Sequence, residues 1–142
     1  NYTSIEAYPI DLNKVNKLNY LTELKLSESE SELFIDMHNI SWGKEINLTN
    51  SFTLRKLEIM LQDVNHISEK LEPQFDAFGP RVQPELWEVS ILQSIFNALK
   101  DNGVLVTYCA KGSVKRALKE VGFTIENIPG PPGKREMTRA IK

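Results

Sequence analysis

Apolar positions along this chain fall into an ordered series of periodic segments. Tyr2 to Glu6 is a short β-prone run that ends in an acid and is stopped by Pro9. Asp11 is placed to cap a helix reaching about Leu24, with Leu12, Val15, Leu18 and Leu21 or Leu24 on one face. Ser27 to Asn39 reads as a second helix with Leu33, Phe34 and Met37 inward, broken at Trp42-Gly43. Phe52, Leu54, Leu57, Ile59 and Leu61 alternate well enough to predict a strand, and Asp63 to Leu71 reads as helical.

The second half is patterned more strongly. Glu85 to Lys100 predicts a helix with Leu86, Val89, Ile91, Leu92, Ile95, Phe96 and Leu99 apolar, ended by Asn102-Gly103. Val104 to Cys109 is an unbroken apolar run, the pattern of a central parallel strand covered on both faces. Ser113 is expected to cap a helix to Glu120. Phe123 to Ile128 and Glu136 to Ile141 then close the chain as two strands joined by the Gly/Pro-rich loop 129–133. This order predicts an α/β sheet with an antiparallel C-terminal edge pair. Without repeats or a low-complexity linker, one domain over residues 1–142 is expected.

Composition narrows the classes. A chain of 142 residues with 41% hydrophobic and 25% charged content is that of a soluble globular protein with a single core. No apolar run approaches the roughly 20 residues that span a bilayer, and no signal peptide opens the chain. A lone Cys109 makes no internal disulfide, which suits a cytoplasmic location. The glycosylation patterns at Asn1, Asn39 and Asn47 are therefore read as chance. Net charge is only −2, but residues 110–142 hold eight Lys or Arg against Glu120, Glu126 and Glu136. That segment is +5 (8 − 3) and the remainder −7 (−2 − 5), a local basic surface of the kind that meets a phosphate backbone. His38 and His66 lack metal-ligand spacing, and no metal is expected.

Candidate chemistry centres on Phe75-Asp76-Ala77-Phe78-Gly79-Pro80 and Gln83-Pro84-Glu85-Leu86-Trp87. An acid at a strand end, between aromatic rings and followed by two prolines, suits a small polar substrate or cofactor. A turn whose Asp caps the next helix gives the same local pattern.

This segment resembles the active-site stretch of the bacterial methyltransferases that complete the 5-methylaminomethyl group on tRNA wobble uridine. The resemblance continues through Gly103 to Gly112 (GVLVTYCAKG), Val114 to Leu118, Val121 to Thr124 and Pro129 to Met137 (PGPPGKREM). It implies a Rossmann-like S-adenosylmethionine-dependent methyltransferase sheet, incomplete at the N-terminus. The family's opening strand and Gly-rich turn find no counterpart before Glu6, and the strand before Asp76 is short, so a fragment of a longer enzyme is expected.

The resemblance also implies roles. Glu6 would accept hydrogen bonds from the cofactor's ribose hydroxyls, and Asp63 would meet its adenine or, equally, cap a helix. Asp76 would hold the acceptor amine and take its proton, with Phe78 and Pro80 walling the pocket. Tyr108 would orient the amine. Trp87 would stack on the base or anchor its helix, and Lys111, Lys134 and Arg135 would meet tRNA phosphates, with Lys115-Arg116 as further contacts. Cys109 is read as a small buried core residue. S-adenosyl-L-methionine is the implied cofactor, and tRNA plus a fused or separate FAD-dependent oxidoreductase are the implied partners. Two other readings fit: a methyltransferase of another small amine, or a non-catalytic α/β module that binds RNA or an acidic protein.

Overall fold

Asn1–Met60 and Leu61–Lys142 form two separately packed units in the computed structural model, which describes residues 1–67 and 79–142. In the first unit β1 (Tyr2–Glu6) leads into α1 (Leu12–Val15), α2 (Tyr20–Glu23), α3 (Glu28–Asn39), β2 (Glu45–Asn47) and β3 (Thr53–Glu58). The continuous helix expected from Asp11 to about Leu24 is thus corrected to two short turns. Asp11 does cap the first, accepting the Lys14 N–H at 2.9 Å. Asn16 then caps its end and Asn19 precedes the next turn. Asparagine side chains compete with the helical backbone for hydrogen bonds, and the pattern breaks there.

The helix begun at Ser27 is as expected and is fixed by a capping box. The Ser27 hydroxyl accepts the Glu30 N–H at 3.4 Å, and the Glu30 carboxylate accepts the Ser27 N–H at 2.8 Å. A further bond from the Ser27 hydroxyl, with that N–H, holds the Glu30 carboxyl below its ordinary value.

β3 is the central strand of this sheet. β1 runs parallel to it, from Tyr2 opposite Leu54 to Glu6 opposite Glu58, and β2 pairs antiparallel on the other side. The sequence pattern did not mark β2, where only Ile46 turns inward. Lys56 is buried on β3; its Nζ donates to the His38 carbonyl at 2.6 Å and lies 4.7 Å from the centre of the Trp42 ring. It thereby satisfies one of the carbonyls left over at the end of α3. The Gly43 N–H donates to the Lys56 carbonyl at 2.7 Å, and the φ of +78° there suits glycine.

The second unit opens with a 3₁₀ turn at Leu61–His66 in place of the first part of the predicted helix; residues 68–71 of that prediction lie outside the described residues. Another 3₁₀ turn, Pro84–Trp87, precedes α4 (Val89–Ala98). The single helix expected over Glu85 to Lys100 is therefore interrupted at Glu88, whose backbone is extended. On an unbroken helix Trp87 would lie about 140° around the axis from Leu92. The break lets both reach the core, Trp87 at 6% exposure and Leu92 at 0%.

β4 (Val104–Thr107), α5 (Gly112–Val121), β5 (Thr124–Pro129) and β6 (Glu136–Ile141) follow. The sheet runs β4-β6-β5 with both pairings antiparallel, as expected for the closing pair β5 and β6. The expectation that β4 is covered on both faces is corrected. Its burial alternates, with Leu105 and Thr107 buried and Val104 and Val106 only half-buried, and its described neighbour is antiparallel. Leu92, Ile95, Ala98 and Leu99 from the α4 region, Val114, Leu118 and Val121 from α5, and Leu105 and Ala140 from the sheet make this unit's core. α5 takes Lys111 rather than Ser113 as its first cap, without a side-chain bond. It ends at Gly122, where φ is +118°.

Candidate functional site

The best-defined candidate site lies where β4 ends beside the β5–β6 turn. Tyr108 follows the last residue of β4, and hydrogen bonds fix the backbone around it. The Cys109 N–H donates to the Thr107 hydroxyl at 3.2 Å, and the Cys109 carbonyl accepts the Thr138 hydroxyl at 2.8 Å. Both threonines are buried. Cys109 itself is half-buried, which corrects its reading as a buried core residue.

The facing loop is shaped by glycine and proline. The Lys134 N–H donates to the Pro131 carbonyl at 2.9 Å, with φ of +88° at Gly133, so Pro132-Gly133 forms the corner of a tight turn. A Cβ on Gly130 would sit 2.5 Å from the Lys134 carbonyl oxygen, so only glycine fits there. This turn sets the Lys134 Nζ 4.7 Å from the centre of the Tyr108 ring. The two residues, far apart in sequence, are thus brought together.

The basic segment sorts into engaged and exposed cations. Lys115 pairs with Glu136 at 3.1 Å, with only 18% of its side chain exposed, and Arg139 pairs with Glu126 at 3.5 Å. Lys142 donates to the Leu99 carbonyl at 2.9 Å and lies over Phe96. Lys115 is therefore corrected from a phosphate contact to a strap between α5 and β6. Among the described residues, Lys111, Arg116, Lys119, Lys134 and Arg135 remain exposed without a carboxylate partner.

Other expected site residues are distributed more widely. Pro80 occupies the second position of a Gly79–Val82 turn, closed by the Val82 N–H on the Gly79 carbonyl at 2.8 Å. Proline makes this turn without a left-handed φ at Gly79. Trp87 is buried, in keeping with the anchoring alternative. Asp63 is exposed inside the Leu61–His66 turn rather than before it. Asp76 and Phe78 lie outside the described residues. The His38 ring packs at a tilt against Phe34, with centroids 4.6 Å apart, and its Nδ1 meets the Phe34 carbonyl at 2.7 Å. Among the described residues no cluster of three or more His, Cys, Asp or Glu is arranged for a metal, and no helix is long and apolar enough to cross a membrane.

In the first unit, Glu6 is exposed at the carboxyl end of β1, its Oε1 accepting the Tyr8 N–H at 3.0 Å. That leaves the second oxygen, among the described residues, to accept hydroxyl donors, so the carboxylate fits a vicinal diol such as a ribose. The parallel register sets Glu58 opposite it. The sequence pattern alone does not place Glu58 there, because register is a property of the pairing and not of either strand.

A family model described as S-adenosyl-L-methionine-dependent methyltransferase matches residues 28–142. The tRNA 5-methylaminomethyl-2-thiouridine biosynthesis bifunctional protein MnmC of Leptospira borgpetersenii is 30% identical over 96% of this chain and 21% of its own length. Its namesake in Campylobacter hominis is 27% identical over 98% of the chain and likewise 21% of its own length. The chain thus spans about a fifth of the length of these curated relatives. The crystal structure of MNMC2 from Aquifex aeolicus superposes with a TM-score of 0.59 at 22% identity, covering 81% of this chain and 38% of that one. At that identity the likeness speaks for the fold, an α/β arrangement of Rossmann-like class.

Proposed function

The chain belongs to the S-adenosyl-L-methionine-dependent methyltransferase family, and from that membership we propose that it methylates the aminomethyl nitrogen on the wobble uridine of tRNA. The observation that carries the reading is the match, over nearly the whole chain, to proteins named for 5-methylaminomethyl-2-thiouridine biosynthesis. Exposed Lys134 beside Tyr108, with Lys111 and Arg135 also exposed in the same basic segment, supports an RNA substrate over a free amine.

When bound, the cofactor supplies an electrophilic methyl group on a positively charged sulfur. Glu6 would hold its ribose hydroxyls, Asp63 is the candidate for its adenine, and Phe78 and Pro80 are candidates for walling the cofactor or the uracil. The acceptor amine must be neutral to react. The Asp76 carboxylate holds that nitrogen by a hydrogen bond, orients its lone pair and takes up the proton released as the nitrogen gains its methyl. Tyr108 orients the same amine from the end of β4. Lys111, Lys134 and Arg135 bind the tRNA backbone. The reaction belongs in the cytoplasm, where tRNA is found, and an FAD-dependent oxidoreductase, fused or separate, is the partner this reading carries with it.

Replacing Asp76 by Ala should lower methyl transfer by about a hundredfold or more while calorimetry with S-adenosylhomocysteine still detects binding. Undiminished turnover would remove Asp76 from the mechanism. Failure of the unaltered chain to bind S-adenosylhomocysteine would count against its acting as the methyltransferase by itself.

A further inference from the structure

The pairing of Tyr108 with Lys134 points to more than a phosphate contact. The ring stands on a rigid base, with a backbone hydrogen bond from Cys109 to Thr107 on one side and the buried Thr138 hydroxyl on the other. What covers the ring is an exposed ammonium, 4.7 Å from its centre, carried at the end of a flexible stem. The carboxylate nearest in sequence, Glu136, is engaged by Lys115 at 3.1 Å and does not compete for that ammonium. Arg135, exposed on the same turn, adds a second cation beside it.

We propose that Tyr108 and Lys134 form a nucleotide clamp: a nucleobase of the RNA takes the place of Lys134 on the Tyr108 ring, and Lys134 moves onto the adjoining phosphate. The inference rests on the RNA-substrate reading and deepens it. A cation held on an aromatic face at a solvent-exposed site is held weakly, whereas the same cation on a phosphate forms a charge-assisted bond. The ring in turn exchanges a cation for a base, whose stacking is tolerant of sequence. Ring and cation therefore each gain a better partner only when base and phosphate arrive together. A phosphate ion or a free base satisfies half of the arrangement.

The test uses fluorescence anisotropy with a labelled five-nucleotide RNA centred on uridine, and the same RNA with an abasic centre. Tyr108→Leu should weaken the uridine-centred probe by roughly fivefold to a hundredfold and leave the abasic probe nearly unchanged, while Tyr108→Phe keeps both. Lys134→Gln should weaken both probes and reduce the slope of log affinity against log salt by about one. Equal loss of both probes in Tyr108→Leu, or loss of neither, overturns the clamp alone. An unaltered chain that binds S-adenosylhomocysteine but neither RNA overturns the clamp and the RNA-substrate reading together, leaving the family assignment standing.

Discussion

Lys56 is a buried residue, at 7% exposure, whose ammonium sits on the carbonyl that α3 leaves unpaired. Burial lowers its pKa from 10.5. Between the lowered folded value and the unfolded one, the unfolded chain binds more protons. Stability therefore rises with pH across that interval and is level, as far as this group is concerned, below it. Lys56→Met should remove this rise and leave the His38 carbonyl unpaired, at a cost of about 1–3 kcal/mol. Urea unfolding of both proteins from about pH 8 to about pH 11 reads both effects. At this scale the Asp11 cap was legible in the sequence, because it needs only residues within one turn of each other, whereas the cap expected at Ser113 falls on Lys111. The contacts of Lys56 with His38 and of Tyr108 with Lys134 were not legible, because the fold and no local spacing creates them.

Elements follow their sequence patterns where one pattern governs the segment and depart where two compete. α5 keeps one strongly apolar face and ends at a glycine, as its pattern demands. Gly122→Ala should cost about 1–2 kcal/mol in stability, since φ is +118° and the new methyl would also meet Phe96 at 3.4 Å. A smaller loss in thermal unfolding would show that the turn relaxes. α4 departs because burying Trp87 as well as Leu92 is incompatible with one continuous helix. β4 departs in its cover, since Val104 and Val106 on one face are only half-buried. The β5–β6 turn is the element on which the site depends. Gly130→Ala, with its methyl 2.5 Å from the Lys134 carbonyl oxygen, should shift Lys134 off Tyr108 and weaken RNA binding severalfold. Unchanged RNA affinity would place the RNA elsewhere.

At the largest scale, the uneven charge is what supports the proposed RNA substrate. The pairs Lys115–Glu136 and Arg139–Glu126 engage two cations and two carboxylates of residues 110–142, so the surplus of +5 is carried by the remaining cations against Glu120. The family was legible because several ordered motifs, from Asp76-Ala77-Phe78 to Lys134-Arg135-Glu136-Met137, share one chain at matching spacing. The division into two packed units was not, since no linker composition marks the passage from Met60 to Leu61.

The central claim is methyl transfer to an aminomethyl-uridine in tRNA. The measurement that meets it most directly is incubation of the chain with methyl-labelled S-adenosylmethionine and tRNA bearing 5-aminomethyluridine, followed by nucleoside analysis. The account predicts label in 5-methylaminomethyluridine and its loss in Asp76→Ala. Label on a free amine with none in tRNA, or none anywhere while the cofactor binds, would contradict it.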